Sequence, residues 1–280
     1  MKILITGAAG FSAKPLIQLL ESIGGDEIIT TDMKEFFRPG HKIVKLTEEG
    51  STTKLIKDVR PDVIYHLAGT FSQNYDIDYS SNVLSARLLL DALISANIKC
   101  RVLLIGSAAE YGFVTAQENP VPETHMLRPS SIYGLTKSMQ TNLMGYYFRR
   151  YDMDLVLART FNLFGSGISP VLLPGRLELE IDKYRRGESR EIRTGPLSGI
   201  RDFIHINDAT HAYVDIMKKG KSGEVYNVGN GQPIDLRDFV VQQLENDGIP
   251  LSALKENPPD SNKAPTFDIW ADVTKYKSLV

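Results

Sequence analysis

Tyr133 and Lys137 stand four residues apart in the segment SSIYGLTKSMQ. On a helix that spacing is about one turn, so both side chains project from the same face. A tyrosine is a poor proton carrier at neutral pH, because its unperturbed pKa is about 10. An ammonium group beside it favours the phenolate and is expected to draw that pKa down toward the working range. Such a pair can move a proton on and off a sugar or alcohol oxygen. The same spacing also arises wherever a lysine stem covers a half-buried tyrosine, so the pair gains meaning only from its company.

The N-terminal segment supplies company. Residues 2–6 (KILIT) form a short apolar run, and GAAGFSAKPLIQLLESIG then reads as a tight turn opening an amphipathic helix. Gly7 and Gly10 let the backbone approach a pyrophosphate, whose charge a helix N-terminus stabilises. Ala13 takes the third small position, which serves helix packing. Asp32 ends the next apolar run, EIITTD, at the distance expected of a ribose-binding acid. Its carboxylate can accept from both ribose hydroxyls and would repel a 2′-phosphate, which favours NAD over NADP. A strand-end turn residue is the other reading of Asp32, and Lys34 and Arg38 nearby could soften the preference.

The elements that must position these groups alternate. Apolar runs recur at 2–6, 27–31, 63–67, 102–106 and 155–159, with helical patterns near 10–22, 51–59, 78–96 and 133–150. That order implies right-handed crossovers and an α/β fold: a Rossmann-type, doubly wound parallel sheet. Near 161 the rhythm breaks and stays broken to about 198. A helix around 207–218 and the strand-like VYNVG at 225–229 then return to the sheet. The expected division is a dinucleotide-binding domain of 1–161 plus about 199–227. A smaller, discontinuous C-terminal substrate lobe takes about 162–198 plus 228–280.

A length of 280 residues suits one such domain with an attached lobe, and 42% hydrophobic content is ample for a core. The net charge of -2, with both signs interspersed, marks no nucleic-acid or membrane surface. The single Cys100 excludes an internal disulfide and fits a reducing compartment. A strand starting at Lys2 leaves no room for a signal peptide, and no apolar run reaches a membrane span. A soluble cytoplasmic protein is the expectation.

The strand RVLLIG at 101–106 ends in Ser107, and ligands of doubly wound sheets bind outside the carboxyl ends of the strands. Ser107 is thus placed where Tyr133 could reach, unless it is only a turn-forming serine. Asn82 could orient water or backbone near Lys137, or lie on a helix surface.

The segments TGAAGFSA, DVIYHLAG, GSAAEYG, YGLTK, ARTFN and RDFIHINDA occur in this order across essentially the whole chain. Together they resemble the extended short-chain dehydrogenase/reductase family that modifies nucleotide sugars. The resemblance implies Ser107, Tyr133 and Lys137 as catalytic residues, Tyr133 as acid/base on the sugar oxygen, Ser107 bonding that oxygen, and Lys137 also holding the nicotinamide ribose. It implies NAD held by Gly7, Gly10, Phe11, Asp32, Leu67, Ala68, Tyr133 and Lys137, and no metal. Asn162 and Arg201 match positions that contact the nucleotide diphosphate, a task suited to a guanidinium. A salt bridge with Asp202 is the plainer reading of Arg201. The helices at 78–96 and 133–150 are expected to pair in a homodimer, with Tyr146, Tyr147 and Phe148 either at that interface or in the core.

Members share hydride transfer at C4 of the sugar and differ in the groups beside the triad. Dehydration and decarboxylation use a carboxylate two residues after the Ser, and a 3,5-epimerase/reductase uses a Cys there. This chain has Ala108 and Ala109, and Cys100 lies upstream. Glu110 comes one residue late, and in an extended chain it would face away. Reduction of a 4-keto-sugar nucleotide and 4-epimerisation both need only the triad. The Ser-Ala-Ala run looks epimerase-like, whereas EYG, LRPSSIYGLTK and ARTFN look like the reductases of GDP-4-keto-6-deoxymannose. The reductase is favoured narrowly. A non-catalytic NAD-binding regulator or scaffold stands as the competing class. Departures from the family include a third strand whose acid Glu48 must replace, and a missing C-terminal Arg whose phosphate contact Lys255 or Lys263 would supply.

Overall fold

Five apolar runs become strands of one parallel sheet. The computed structural model describes residues 1–258 and 268–280. The first half runs β1 (Lys2–Thr6), α1 (Ala13–Ile23), β2 (Glu27–Asp32), β3 (His41–Ile43), α2 (Glu49–Val59), β4 (Val63–His66), α3 (Tyr75–Tyr79), α4 (Ser85–Ser95), β5 (Arg101–Ser107), α5 (Ile132–Tyr151) and β6 (Leu155–Thr160). The second half runs β7 (Asn162–Phe164), α6 (Leu173–Arg185), β8 (Ile192–Thr194), β9 (Ile200–Arg201), β10 (Phe203–His205), α7 (Ile206–Lys219), β11 (Val225–Val228), β12 (Ile234–Asp235), α8 (Leu236–Asn246), β13 (Leu254–Glu256) and α9 (Thr274–Lys277).

The sheet has seven strands in the order β11-β6-β5-β4-β1-β2-β3, all parallel. Strands buried on both faces explain the unbroken apolar runs: β6 is buried at every position. The order reverses between β1 and β4, which opens a crevice beyond their carboxyl ends.

Helices cover both faces. The α1 stripe Ala13, Leu16, Ile17 and Leu20 packs with α7 on one face. Helices α2, α4 and α5 cover the other, through residues such as Leu55, Leu89 and Met144. A separate apolar core joins α6 to α8, with Phe203 and Phe239 stacked at 3.8 Å. Three two-stranded ladders, β10-β7, β12-β9 and β13-β8, surround it.

Two expectations are corrected. The helical pattern at 78–96 is not one helix, because a π-helical turn at Ser80–Leu84 separates α3 from α4. That turn brings the buried Asn82 inward. The irregular stretch before 198 contains α6, whose charged sequence buries only Gly175, Leu177 and Ile181. Of the aromatics expected either at an interface or in the core, Tyr147 is in the core and Phe148 packs against it, while Tyr146 is 48% exposed.

Candidate active site

The expected site residues sit at or just past strand ends, in the glycine loop before α1, or on the first turns of α5. Gly7 follows β1 with a φ of +70°, and a Cβ there would lie 2.7 Å from the Ala68 amide nitrogen. No side chain fits between the glycine loop and the end of β4. Asp32, at the end of β2, accepts the Ala9 N–H at 3.0 Å and the Lys34 N–H at 3.0 Å. Gly7, Gly10, Asp32, Leu67 and Ala68 line one cavity of about 280 Å³ together with Leu46 and Thr47. The α1 N-terminus carries no acid in its first turn, so its partial positive charge is not cancelled.

This groove fits a dinucleotide: a backbone cradle, an unneutralised helix end and a carboxylate at the ribose distance all face it. Two of the neighbouring expectations differ. Glu48 does not face the groove; it is exposed and held by Lys45 Nζ at 3.0 Å. Arg38 is paired with Glu21, whereas Lys34 lines the groove.

Leu67, Gly69 and Thr70 continue into a larger cavity of about 560 Å³. Its wall brings together Phe11, Ser107, Tyr133, Lys137, Asn162 and Arg201. Ser131 caps α5 by accepting the Gly134 N–H at 3.0 Å, which fixes the turn bearing Tyr133. Gly134 permits close approach, since a Cβ would lie 2.3 Å from the Ala109 carbonyl oxygen. The Tyr133 ring is half-buried, and its hydroxyl end is enclosed and bonded to Ser107. Lys137 Nζ lies 5.9 Å from the Tyr133 ring centroid and donates to the Ile105 carbonyl at 2.8 Å and to Gln140 Oε1 at 3.2 Å.

Burial moves the two protonation equilibria apart from the expected pattern. It pushes the Tyr133 phenol up to about 12, with Glu110 and Asp78 adding to the rise and the Ser107 hydrogen bond opposing it. Burial likewise lowers Lys137 to about 8, against the opposing carboxylates of Glu110 and Asp78. The ammonium therefore does not by itself draw the tyrosine down, because desolvation of a phenolate outweighs it here. His66 is also buried, held low at about 3 by desolvation and by Lys137.

Asn82 is not on a helix surface. It joins Thr70 N–H at 2.9 Å and Thr136 Oγ1 at 3.0 Å, next to Lys137. The Asn162 side chain donates to the Asp202 carbonyl at 2.9 Å. Arg201 sends Nη1 to the Ile200 carbonyl at 2.7 Å. Asp202 is fully buried and accepts main-chain N–H groups from Asn230, Gly231 and Ala271. Lys255 is exposed on β13 and does not line the large cavity, and Lys263 lies outside the described residues.

Ala108 and Ala109 line the cavity, and neither can transfer a proton. The chain there is a tight turn, not a strand, yet Glu110 is still withdrawn, fully buried against Arg159. Sequence reasoning missed Phe71, which lines the cavity and meets Tyr133 edge-on at 5.0 Å. It also missed Gln140, three residues after Lys137 on the same helix face, a spacing that could have marked it.

Residues 3–229 match the sequence profile of the NAD dependent epimerase/dehydratase family. The chain is 28% identical over 236 residues to the GDP-6-deoxy-D-talose 4-dehydrogenase of Aggregatibacter actinomycetemcomitans, covering 82% of this chain and 75% of that protein. It is 27% identical over 186 residues to the GDP-6-deoxy-D-mannose reductase of Pseudomonas aeruginosa, covering 64% and 61%. The UDP-glucose 4-epimerase structure from Thermotoga maritima with UDP-glucose superimposes with a TM-score of 0.85 at 23% identity, covering 99% and 92%. That last likeness shows the shared fold.

Proposed function

The chain belongs to the NAD dependent epimerase/dehydratase family, and from that premise we propose that it reduces the C4 carbonyl of a 4-keto-sugar nucleotide. One observation carries the reading. Ser107, Tyr133 and Lys137 meet at one cavity, while the two positions after Ser107, where a second proton-transfer group would stand, are Ala108 and Ala109. Dehydration and decarboxylation each need such a group, and reduction does not.

Gly7, Gly10, Phe11, Asp32, Leu67 and Ala68 hold the dinucleotide, with Lys137 on its nicotinamide ribose. When bound, the reduced nicotinamide supplies the hydride. Tyr133 gives its phenolic proton to the C4 oxygen, and Ser107 orients that oxygen by donating a hydrogen bond. A phenol held at about 12 is protonated at neutral pH, the form that reduction requires. Lys137 lies beside the resulting phenolate and stabilises it. Phe71 covers the Tyr133 ring and keeps water from the proton in transit.

Asn162 and Arg201 bind the diphosphate, within a substrate lobe of about 162–198 plus 228–280. Asp32 selects NADH over NADPH, and Lys34 weakens that selection. A homodimer forms through α4 and α5, whose outer surface carries Tyr146 and Tyr151, 48% and 44% exposed.

The second reading, 4-epimerisation, is favoured by the Ser107-Ala108-Ala109 run. The test separates the two. Oxidation of NADH, followed by its absorbance, on GDP- or dTDP-4-keto-6-deoxyhexose supports reduction. Interconversion of 4-epimeric sugar nucleotides with no net NADH consumption would establish epimerisation instead. A thermal-shift panel of GDP-, dTDP-, UDP- and CDP-sugars with NAD selects the base, since ligand at 100 times its dissociation constant adds about 2.7 kcal/mol. No response to any of them would sink both readings.

A further inference from the structure

Behind Ser107 lies a polar network that the proposed reaction does not use. Glu110, Tyr111 and Arg159 are each 2% exposed or less. One Glu110 oxygen, Oε2, receives Arg159 Nε at 3.0 Å, Arg159 Nη2 at 3.0 Å and the Thr141 hydroxyl at 2.7 Å. The other, Oε1, receives the Ser107 main-chain N–H at 2.7 Å. Arg159 Nη1 continues to the Tyr111 hydroxyl at 3.0 Å, which donates to Asn227 Oδ1 at 2.6 Å. The carboxylate thus ties β5 to β6 and α5 at one point.

A buried ion pair is a poor device for stability alone, because well-packed apolar residues commonly do as well. This one is built around a single neighbour. Gly106 is the residue before Ser107, and a Cβ there would lie 2.5 Å from Glu110 Oε1. Ser107 itself has an extended backbone, φ -147° and ψ 145°, and its Oγ accepts the Ala109 N–H at 3.2 Å. With its N–H bonded to Glu110 and one Oγ lone pair taken by Ala109, the hydroxyl proton is left to face the cavity.

We infer that Glu110, clamped by Arg159, is the positioning residue for Ser107: it fixes the turn that aims the Ser107 hydroxyl at Tyr133 and the substrate oxygen. It is an acid close to the triad that moves no proton. The inference rests on the reading that Ser107 and Tyr133 carry the reaction. A small misplacement of Ser107 costs rate and leaves binding of cofactor and nucleotide largely intact, since Gly7, Gly10, Asp32, Asn162 and Arg201 lie on other elements.

The test is a double-mutant cycle of Glu110→Ala and Ser107→Ala, read by kcat, KM for the sugar nucleotide, NADH binding and melting temperature. Glu110→Ala is expected to lower kcat by about 10²-fold, with KM and NADH affinity changed less than about threefold. In the Ser107→Ala background the same substitution should add little, since residues acting as one unit are not additive. Removal of a buried charge can unfold a chain, so Glu110→Gln and Thr141→Val go through the same cycle. Both keep the shape of the network, and both should show smaller losses that also vanish without Ser107. Costs that multiply independently, an unchanged kcat in folded variants, or KM and NADH binding lost in step with kcat would each overturn the inference. Wild-type protein that turns over no sugar nucleotide overturns the underlying reading, and the inference with it.

Discussion

Helices α1 and α5 both open toward the crevice beyond the strand ends, and they bury opposite kinds of surface. Against the sheet α1 sets Ala13, Leu16, Ile17 and Leu20, a regular apolar stripe. The buried set of α5 includes Thr136, Lys137, Ser138 and Gln140 alongside Met144 and Tyr147. A helix that holds a lysine and a glutamine inside the protein sacrifices stability for chemistry. The N-terminal end of α1 opens beside the glycine-loop groove and its side chains build the core, whereas α5 sends Tyr133 and Lys137 into the wall of the larger cavity.

If that division holds, the largest effect comes from one oxygen atom on α5. Tyr133→Phe should lower kcat by about 10²–10⁴-fold with melting temperature and NADH binding preserved. A loss smaller than threefold would erase the distinction between the helices. The converse substitution is Leu20→Ala in α1, expected to cost about 2–5 kcal/mol in urea unfolding while kcat per folded molecule stays unchanged. A fall in kcat with full stability would reverse the assignment.

Protonation sharpens the same contrast. Burial lowers Lys137 from 10.5 to about 8. Between those values the unfolded chain binds a proton that the folded chain does not, so this group makes stability rise with pH. Tyr133, raised from 10.0 to about 12, acts in the opposite sense above pH 10. Urea midpoints between about pH 8 and 10 should therefore climb more steeply in wild type than in Lys137→Met; parallel curves would contradict the buried lysine.

Gly7→Ala should weaken NADH binding and cost about 1–3 kcal/mol, because φ is positive there and the Ala68 backbone is in the way. Unaltered NADH titration would show that the loop is not a cofactor cradle. The smallest effect is expected of Asp32→Asn, a narrowing of the NADH over NADPH preference by about tenfold or less, worth at most 1.4 kcal/mol. An unchanged ratio of the two affinities would remove Asp32 from cofactor choice.

The α1 side was legible because its signals are local. A run, two glycines and an acid at fixed spacing specify strand, turn and the acid that lines the groove within one stretch of chain. On the α5 side only Tyr133, Lys137, Ser107 and Asn82 could be picked out. Phe71 was invisible because Asp78 shapes its loop by bonding Ser72 and Gln73, an irregular side-chain-to-backbone arrangement with no periodicity. The direction of the Tyr133 shift was misjudged because spacing reports a neighbouring charge and says nothing of desolvation. Helix α6 escaped because most of its face is solvated, and α8 because only Phe239, Val240 and Leu244 are buried.

Asp202 has a consequence for how the protein is made. Its carboxylate gathers amides lying 28, 29 and 69 positions further along the chain. Beside it, Arg201 bridges to Ile269, which lines the larger cavity. On a ribosome the chain emerges from its N-terminus, so the glycine loop and its strands are free to assemble while Ala271 has yet to be joined. The groove beside the glycine loop can thus be complete well before the larger cavity has its last wall. A nascent chain halted short of residue 271 would be able to form the groove and unable to close the larger cavity.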